Sequence, residues 1–282
     1  MKIMITGARG MLGRTLTRRL TEHQLLGVDI SDFDITDPAA TRQAVSQFEP
    51  EAIIHCAAMT AVDDCQTSQD AAWKVNVNGT ANIAEACAAV GARLIAISTD
   101  YVFSGESDAP YCEHDTTGPQ TVYGMTKMLG EMAVAKYCEN SIIVRIAWLY
   151  GPGGPSFVHT MLRLAAEGVD PLRVVDDQVG NPTSTEAVAD HIKLLLDHPE
   201  ITGPVHLTCE GHATWCQFAA EILRLSGSDC VPVPCSTDEF PRPAARPANS
   251  QLDNLILTKH NIPPMPHWRQ ALEEFFRENP DG

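Results

Sequence analysis

The chain lacks what a membrane span, a secreted scaffold or a nucleic-acid binder would need. None of its 282 residues lie in a run approaching the ~20 uninterrupted apolar positions that cross a bilayer. Lysine and arginine number 20 against 36 acidic residues, leaving a net charge of −16. A field of that sign disfavours non-specific nucleic-acid or anionic-membrane binding, so neither is expected as a partner. The nine cysteines form no C-x-x-C pair, and the ten histidines are scattered without ligand spacing. No metal site is therefore expected. Met1-Lys2-Ile3 leads straight into an apolar run with no signal peptide. With an odd, scattered set of thiols, that points to a reducing cytoplasm. Internal repeats and low-complexity tracts are absent too.

What is present is a 44% hydrophobic composition, ample for a core, arranged in alternating short apolar runs and helical patterns. "KIMIT" at 2–6, "LLGVDI" at 25–30, "AIIHCA" at 52–57, "RLIAIS" at 93–98 and "IIVRIA" at 142–147 read as buried strands. Their near-continuous apolar character suits a parallel sheet covered on both faces. Between them, "MLGRTLTRRL", "DPAATRQAVSQF", "ANIAEACAAV" and "YGMTKMLGEMAVAKY" carry helical periodicity. The fold class expected is α/β, a doubly wound parallel-sheet Rossmann domain with a smaller α/β C-terminal substrate domain. The boundary falls at the Gly/Pro-rich 150–155, giving 1–151 with part of 175–200 added to it, and a discontinuous 152–282. The proline-rich 232–247 stretch is a candidate lid.

"TGARGMLG" joins the first strand to the first helix, and Gly7, Gly10 and Gly13 form G-x-x-G-x-x-G. Glycines there let the backbone turn sharply and bring a pyrophosphate to the helix N-terminus. Asp29 ends the second strand, where a carboxylate would bond a ribose 2′-hydroxyl and repel a 2′-phosphate. Arg9 and Arg14 would offset that repulsion, so NADH and NADPH both stay open. Asp34 and Ile35 are placed to meet the adenine, or they form a plain loop before an N-cap at Asp37.

"TVYGMTK" sets Tyr123 one helical turn before Lys127, so the two share a face. A lysine there would hold a tyrosine ready to exchange a proton. Thr99, Asp100 and Tyr101 emerge at the carboxyl end of the fourth strand, where doubly wound folds bind ligands.

Taken together, the glycine turn, "HCAAMTAVDD", "NVNGT", "STDYVF" and Y-x-x-x-K resemble the extended short-chain dehydrogenase/reductase superfamily. Within it the chain is most similar to the dTDP-4-dehydrorhamnose reductase family. "HCAAMTAVDDCQ", "STDYVFSG", "VYGMTKMLGE", "RIAWLYG", "FVHTMLRLA", "RVVDDQVGNPTST" and "RPANSQL" carry that likeness across nearly the whole length. The resemblance implies reduction of the C4 ketone of a dTDP-4-dehydro-6-deoxy sugar to dTDP-L-rhamnose, with hydride from NADPH or NADH. It implies Thr99, Tyr123 and Lys127 as catalytic residues, Tyr123 donating the proton and Lys127 lowering its pKa. The cofactor set it implies is Gly7, Arg9, Gly10, Met11, Leu12, Asp29, Asp34, Ile35, Cys56, Ala57, Ala58, Thr60 and Asn76, with Tyr123 and Lys127. The implied substrate set is Thr99, Asp100, Tyr101, Trp148, Arg246 and Asn249. For Trp148, burial between domains is the competing reading.

Related dehydratases carry Thr-Asp-Glu where this chain has Thr99-Asp100-Tyr101, so elimination lacks its base while reduction does not need it. Some family members place a glutamate in the first helix to hold Mg²⁺ between subunits. "GRTLTRR" has no carboxylate, so no metal-bridged dimer of that kind is expected, and the protein acts as a monomer or homodimer. "HCAAM" puts His55-Cys56 where Asn-Ala is commoner. Two alternatives remain: a reductase or epimerase of another nucleotide sugar, and a non-catalytic NAD(P)-binding regulator of the methionine adenosyltransferase type. The second would tolerate losses in the Thr-Tyr-Lys set, and none is lost.

Overall fold

A computed structural model describes residues 1–279. Six parallel strands form the central sheet: β1 Lys2–Thr6, β2 Gln24–Val28, β3 Ala52–His55, β4 Arg93–Thr99, β5 Ser141–Ile146 and β6 Gly203–His206. Their order is β6-β5-β4-β3-β1-β2, so the chain reverses direction between β1 and β3. That reversal opens a crevice at the carboxyl ends, where such sheets take their ligands.

The apolar strands divide their residues between two cores by the period of the pleat. Ile3, Ile5, Ile54, Ile95 and Val144 enter one cluster, while Met4, Ile53, Leu94 and Ile143 enter the other. Each buried side chain of this size contributes about 1.5–3 kcal/mol relative to exposure. Helices Pro38–Phe48 and Thr80–Ala89 supply residues to the second core. The first core is larger. It takes in Met11–Arg19 and Thr185–Leu196 and runs on into Phe218, Trp268 and Phe275 of the C-terminal region.

Five strands fall where the sequence reads them, within one or two residues at each end. The sixth, β6, is not legible as a core strand. Its "GPVH" contains Pro204, tolerated because β6 pairs only with β5 and lies at the sheet edge. Beyond the sheet, short pairings build the ligand-facing side: Leu149–Tyr150 with Thr183–Ser184, Arg173–Val175 with Val233–Cys235, and Val179–Gly180 between Ala213–Thr214 and Asn249–Ser250. No helix among the described residues is long and apolar enough to cross a membrane.

Candidate active site

The glycine turn is built for close approach. Gly7 has φ +66°, and a Cβ there would meet the Ala57 nitrogen at 2.8 Å. At Gly13 a Cβ would fall 2.2 Å from the Gly7 carbonyl oxygen. Gly10 precedes helix Met11–Arg19 without a side-chain cap, and the first turn carries no acidic residue. Its free amides, including those of Met11 and Leu12, suit a pyrophosphate. The Leu12 side chain itself is buried in the core, so only its backbone faces a ligand.

Asp29 accepts a hydrogen bond from the Arg9 amide at 3.0 Å, tying the strand end to the turn. The Asp34 carboxylate accepts from the Thr36 amide, which lowers its pKa, and Ile35 is buried in the second core. After β3, Cys56, Ala57 and Ala58 are half-buried and Thr60 is exposed. Asn76 sits in a π-helical stretch, Trp73–Gly79, of the kind often found at functional sites. Its amide is spent inside the protein, accepting from the Met59 amide at 2.8 Å and donating to the Met59 carbonyl and Thr126. Asn76 therefore fixes the loop after β3. His55 lies between the hydroxyls of Thr6 (2.7 Å) and Thr80 (3.1 Å), and burial drops its pKa to about 3. It is a neutral core residue. Burial pushes the Cys56 thiol up to about 12.

Thr121 caps the next helix, Val122–Tyr137, by accepting from the Gly124 amide at 3.0 Å. That start presents Tyr123 and Lys127 towards β4, both buried. Lys127 Nζ donates to the Ile97 carbonyl at 2.7 Å. Burial raises the Tyr123 pKa well above its ordinary value, and the neighbouring Thr99 hydroxyl opposes that rise. Tyr123 is thus held protonated, the form a proton donor needs. Burial lowers Lys127 to about 8, partly offset by Glu131.

Thr99 donates to Asp100 Oδ1 at 2.9 Å, while Asp100 Oδ2 is buried with no partner. Burial raises Asp100 to about 6, against the influence of the nearby Ser250 hydroxyl and the Thr99 hydrogen bond. The Tyr101 ring meets Tyr123 edge-on, centroids 5.5 Å apart. Beside them opens a cavity of about 640 Å³ lined by Tyr101, Trp148, Phe157, Trp215, Arg246 and Ser250 among others. Trp148 is half-buried, with φ +47°. Such a backbone in a bulky residue costs of order 1–3 kcal/mol and persists where the surroundings impose it. Arg246 lines the cavity but bonds Asp63 at 2.9 Å.

Asn249 does not face this space. Its amide donates to the carbonyls of Ser107 (2.8 Å) and Ala109 (3.0 Å), and strand alternation turns the next residue, Ser250, to the cavity instead. Phe157, Gln178 and Trp215 are cavity residues that sequence reasoning did not single out. They come from separate elements, and only tertiary packing brings them together. In the first helix, Arg18 pairs with Glu186, and Arg19 with Glu186 and Asp190.

A glycine cradle at a helix start, a buried Tyr-Lys pair on one helix face and a cavity beyond the sheet define the short-chain type of nicotinamide-dependent oxidoreductase. Comparison with known proteins narrows that class. Residues 1–280 match the RmlD substrate binding domain, and the chain belongs to that family. It is 44% identical to a dTDP-4-dehydrorhamnose reductase of Streptomyces griseus, over 97% of this chain and 92% of that one. It is 42% identical to a probable dTDP-4,6-dihydroxy-2-methyloxan-3-one 4-ketoreductase of Streptomyces antibioticus, over 98% and 95%. The crystal structure of a dTDP-4-dehydrorhamnose reductase of Bacillus anthracis in complex with NADP superimposes with TM-score 0.96 at 37% identity, covering 98% of this chain and 99% of that one.

Proposed function

We propose that this enzyme reduces the C4 ketone of dTDP-4-dehydrorhamnose to dTDP-L-rhamnose, with NADPH or NADH as reductant. The observation that carries this reading is the family match over residues 1–280, together with an intact Thr99-Tyr123-Lys127 set beside the cavity. The cradle at Gly7 and Gly13 fits a dinucleotide, because without Cβ atoms the turn packs directly on the Ala57 and Ala8 backbone and leaves the helix N-terminus open to a pyrophosphate. Met11 and Leu12 would hold the pyrophosphate through their amides, Gly10 would shape the turn beside it with its own amide donated to the Gly7 carbonyl, and Arg9 and Asp29 would flank the adenosine ribose. Asp34, Ile35, Cys56, Ala57, Ala58, Thr60 and Asn76 would border the rest of the dinucleotide, Asn76 by fixing the loop. When bound, the nicotinamide supplies the hydride.

The remaining chemistry belongs to the chain. Tyr123 delivers its phenolic proton to the C4 oxygen as negative charge develops there. Thr99 orients that oxygen, and Lys127 holds the nicotinamide ribose and balances the phenolate left on Tyr123. Asp100, Tyr101, Trp148 and Arg246 face the dTDP-sugar, and Asn249 shapes the same wall by tethering the 107–109 loop. We assign residues 1–151, with part of 175–200, to the nucleotide and the smaller discontinuous remainder of 152–282 to the sugar. The nine cysteines are free thiols, the form a reducing cytoplasm maintains, and we place the enzyme there.

The Streptomyces antibioticus relative favours a second reading, the same 4-ketone reduction on another dTDP-linked deoxysugar. One assay separates the two. The protein is incubated with dTDP-glucose, the upstream 4,6-dehydratase and NADPH or NADH, with and without the 3,5-epimerase. Oxidation of the nicotinamide that depends on the epimerase is the expected result. Oxidation without epimerase moves the assignment to the second reading, and no oxidation overturns both.

A further inference from the structure

Tyr123 and Lys127 are the first two members of a longer stripe. Glu131 follows at the same four-residue spacing on helix Val122–Tyr137 and is buried, 8% exposed. Its carboxylate is fully engaged. Oε1 accepts from Ser98 at 2.5 Å and from Arg145 Nε at 3.0 Å, and Oε2 accepts from Arg145 Nη2 at 2.7 Å. Arg145 is 4% exposed, comes from β5, and also reaches the Glu113 carbonyl at 3.3 Å. Its guanidinium lies 5.0 Å over the Phe103 ring.

A buried ion pair is weak evidence for stability, because apolar residues of the same volume often serve the fold as well or better. Its placement calls for another reason. Lys127 and Glu131 bound one small cavity of about 10 Å³ with Thr80, Ile97 and Ser98. That space holds a single water at most, so the two charges act on each other without bulk screening. Around Lys127, the groups from other elements bring no negative charge at neutral pH. His55 on β3 is neutral, and Cys56 after β3 and Cys65 on helix Val62–Thr67 have thiol pKa values raised by burial. Tyr123, on its own helix, is protonated. Glu131 is the largest influence opposing the desolvation of Lys127.

We infer that Glu131, clamped by Arg145 and Ser98, is a positioning residue that keeps the Lys127 ammonium charged and aimed along β4 for catalysis. Arg145 and Ser98 fix the carboxylate so that it cannot swing onto Lys127 and neutralise it by direct pairing. Lys127 therefore keeps its hydrogens for the Ile97 carbonyl and for a ligand. This rests on the proposed reductase reading for its catalytic consequence, but the electrostatic part does not.

The test labels lysine ε-carbons and follows their NMR titration in the intact protein. The chain has only six lysines, and the signal missing from Lys127→Met assigns the one of interest. In Glu131→Gln, Lys127 is expected to titrate about one pH unit lower than in the wild type, a tenfold loss of proton affinity. The alkaline limb of kcat/KM should move by the same amount, whereas a purely structural defect would lower the rate without moving the limb. Should Glu131→Gln fail to fold, the double variant Glu131→Gln/Arg145→Met, which removes both charges, is expected to lower the Lys127 titration by less, because losing the Arg145 positive charge offsets part of the effect. An unchanged Lys127 titration in the folded variant overturns the inference. Absence of turnover in the wild type would refute the reductase reading instead, and the titration would still decide this one.

Discussion

The indole of Trp148 lies flat on that of Trp215, with centroids 3.5 Å apart and planes 6° from parallel. Trp215 is itself fixed by its Nε1 donating to Gln178 at 3.1 Å, and Phe157 packs against it at 4.5 Å. On the other side, Gly180 leaves room for the Trp148 ring, since a Cβ there would come within 2.4 Å of it. The stack therefore aims Trp148 into the cavity. Trp215→Ala should free that ring and raise the sugar-nucleotide KM about tenfold, with little change in NADPH affinity. Gly180→Ala should do the same by displacement. Fluorescence titration with NADPH beside steady-state kinetics checks both; a parallel loss of cofactor affinity would count against a substrate-side role.

Gly13→Ala should act at the opposite end. Its Cβ would overlap the Gly7 carbonyl and approach the Ala8 Cα at 2.7 Å, and neither is a flexible side-chain tip. The turn must open, so the expected result is loss of NADPH binding and destabilisation of about 1–3 kcal/mol. Calorimetric titration and urea unfolding measure the two. A variant that binds normally would mean the pyrophosphate does not use this turn.

Tyr123→Phe removes the proton donor while keeping the ring packed against Tyr101. The kcat should fall about 10²–10⁴-fold, with cofactor binding retained. The wild-type profile should also lose activity as pH rises through about 8, where Lys127 gives up its charge. A full rate in Tyr123→Phe would remove the phenol from the acid role.

Asp100 makes a pH prediction about stability. Burial raises its folded pKa from 3.8 to about 6, so the folded state holds the proton more tightly than the unfolded chain. The stabilising contribution is complete below the unfolded value and is lost as pH climbs through about 6. At pH 7.5 the ionised carboxylate, with Oδ2 unpartnered, costs about 3 kcal/mol relative to acid conditions. Asp100→Asn should therefore gain stability over the wild type at pH 7.5 and little at pH 4, by urea unfolding at each. Equal differences at both pH values would contradict the raised pKa.

Much of this frame was legible from periodicity. Five strands announce themselves as apolar runs; in β1, β3, β4 and β5 burial on both faces leaves no alternation to confuse the reading, while the edge strand β2 is only part-buried and shows through its apolar content alone. The Tyr123-Lys127 spacing also showed in advance, since helix geometry alone sets it. What escaped depended on contacts remote in sequence. The direction of the Lys127 ammonium is decided by the Ile97 carbonyl thirty residues away. The choice of Ser250 over Asn249 as a cavity residue needs the register of a two-residue strand, too short to carry a pattern. The strand β6 was hidden by its proline, which edge placement makes harmless.

Arg246 offers the last prediction, because its present partner is a carboxylate. The guanidinium donates to Asp63 Oδ2 at 2.9 Å and to the Ala244 carbonyl at 2.8 Å, while Asp63 also accepts from the Ala244 amide. Both side chains of the pair keep part of their surface in solvent, so the pair contributes no more than about 1 kcal/mol. Arg246→Leu should then leave thermal stability nearly unchanged. If the fork serves the sugar-nucleotide diphosphate, the same variant should raise KM for the dTDP-sugar about 10–100-fold. Asp63→Asn separates binding from competition. It removes the negative charge that holds Arg246 and can still accept from the Ala244 amide, so KM should stay level or fall. A rise in KM for Asp63→Asn matching that of Arg246→Leu would mean that the ion pair itself shapes the site and that the diphosphate is held elsewhere.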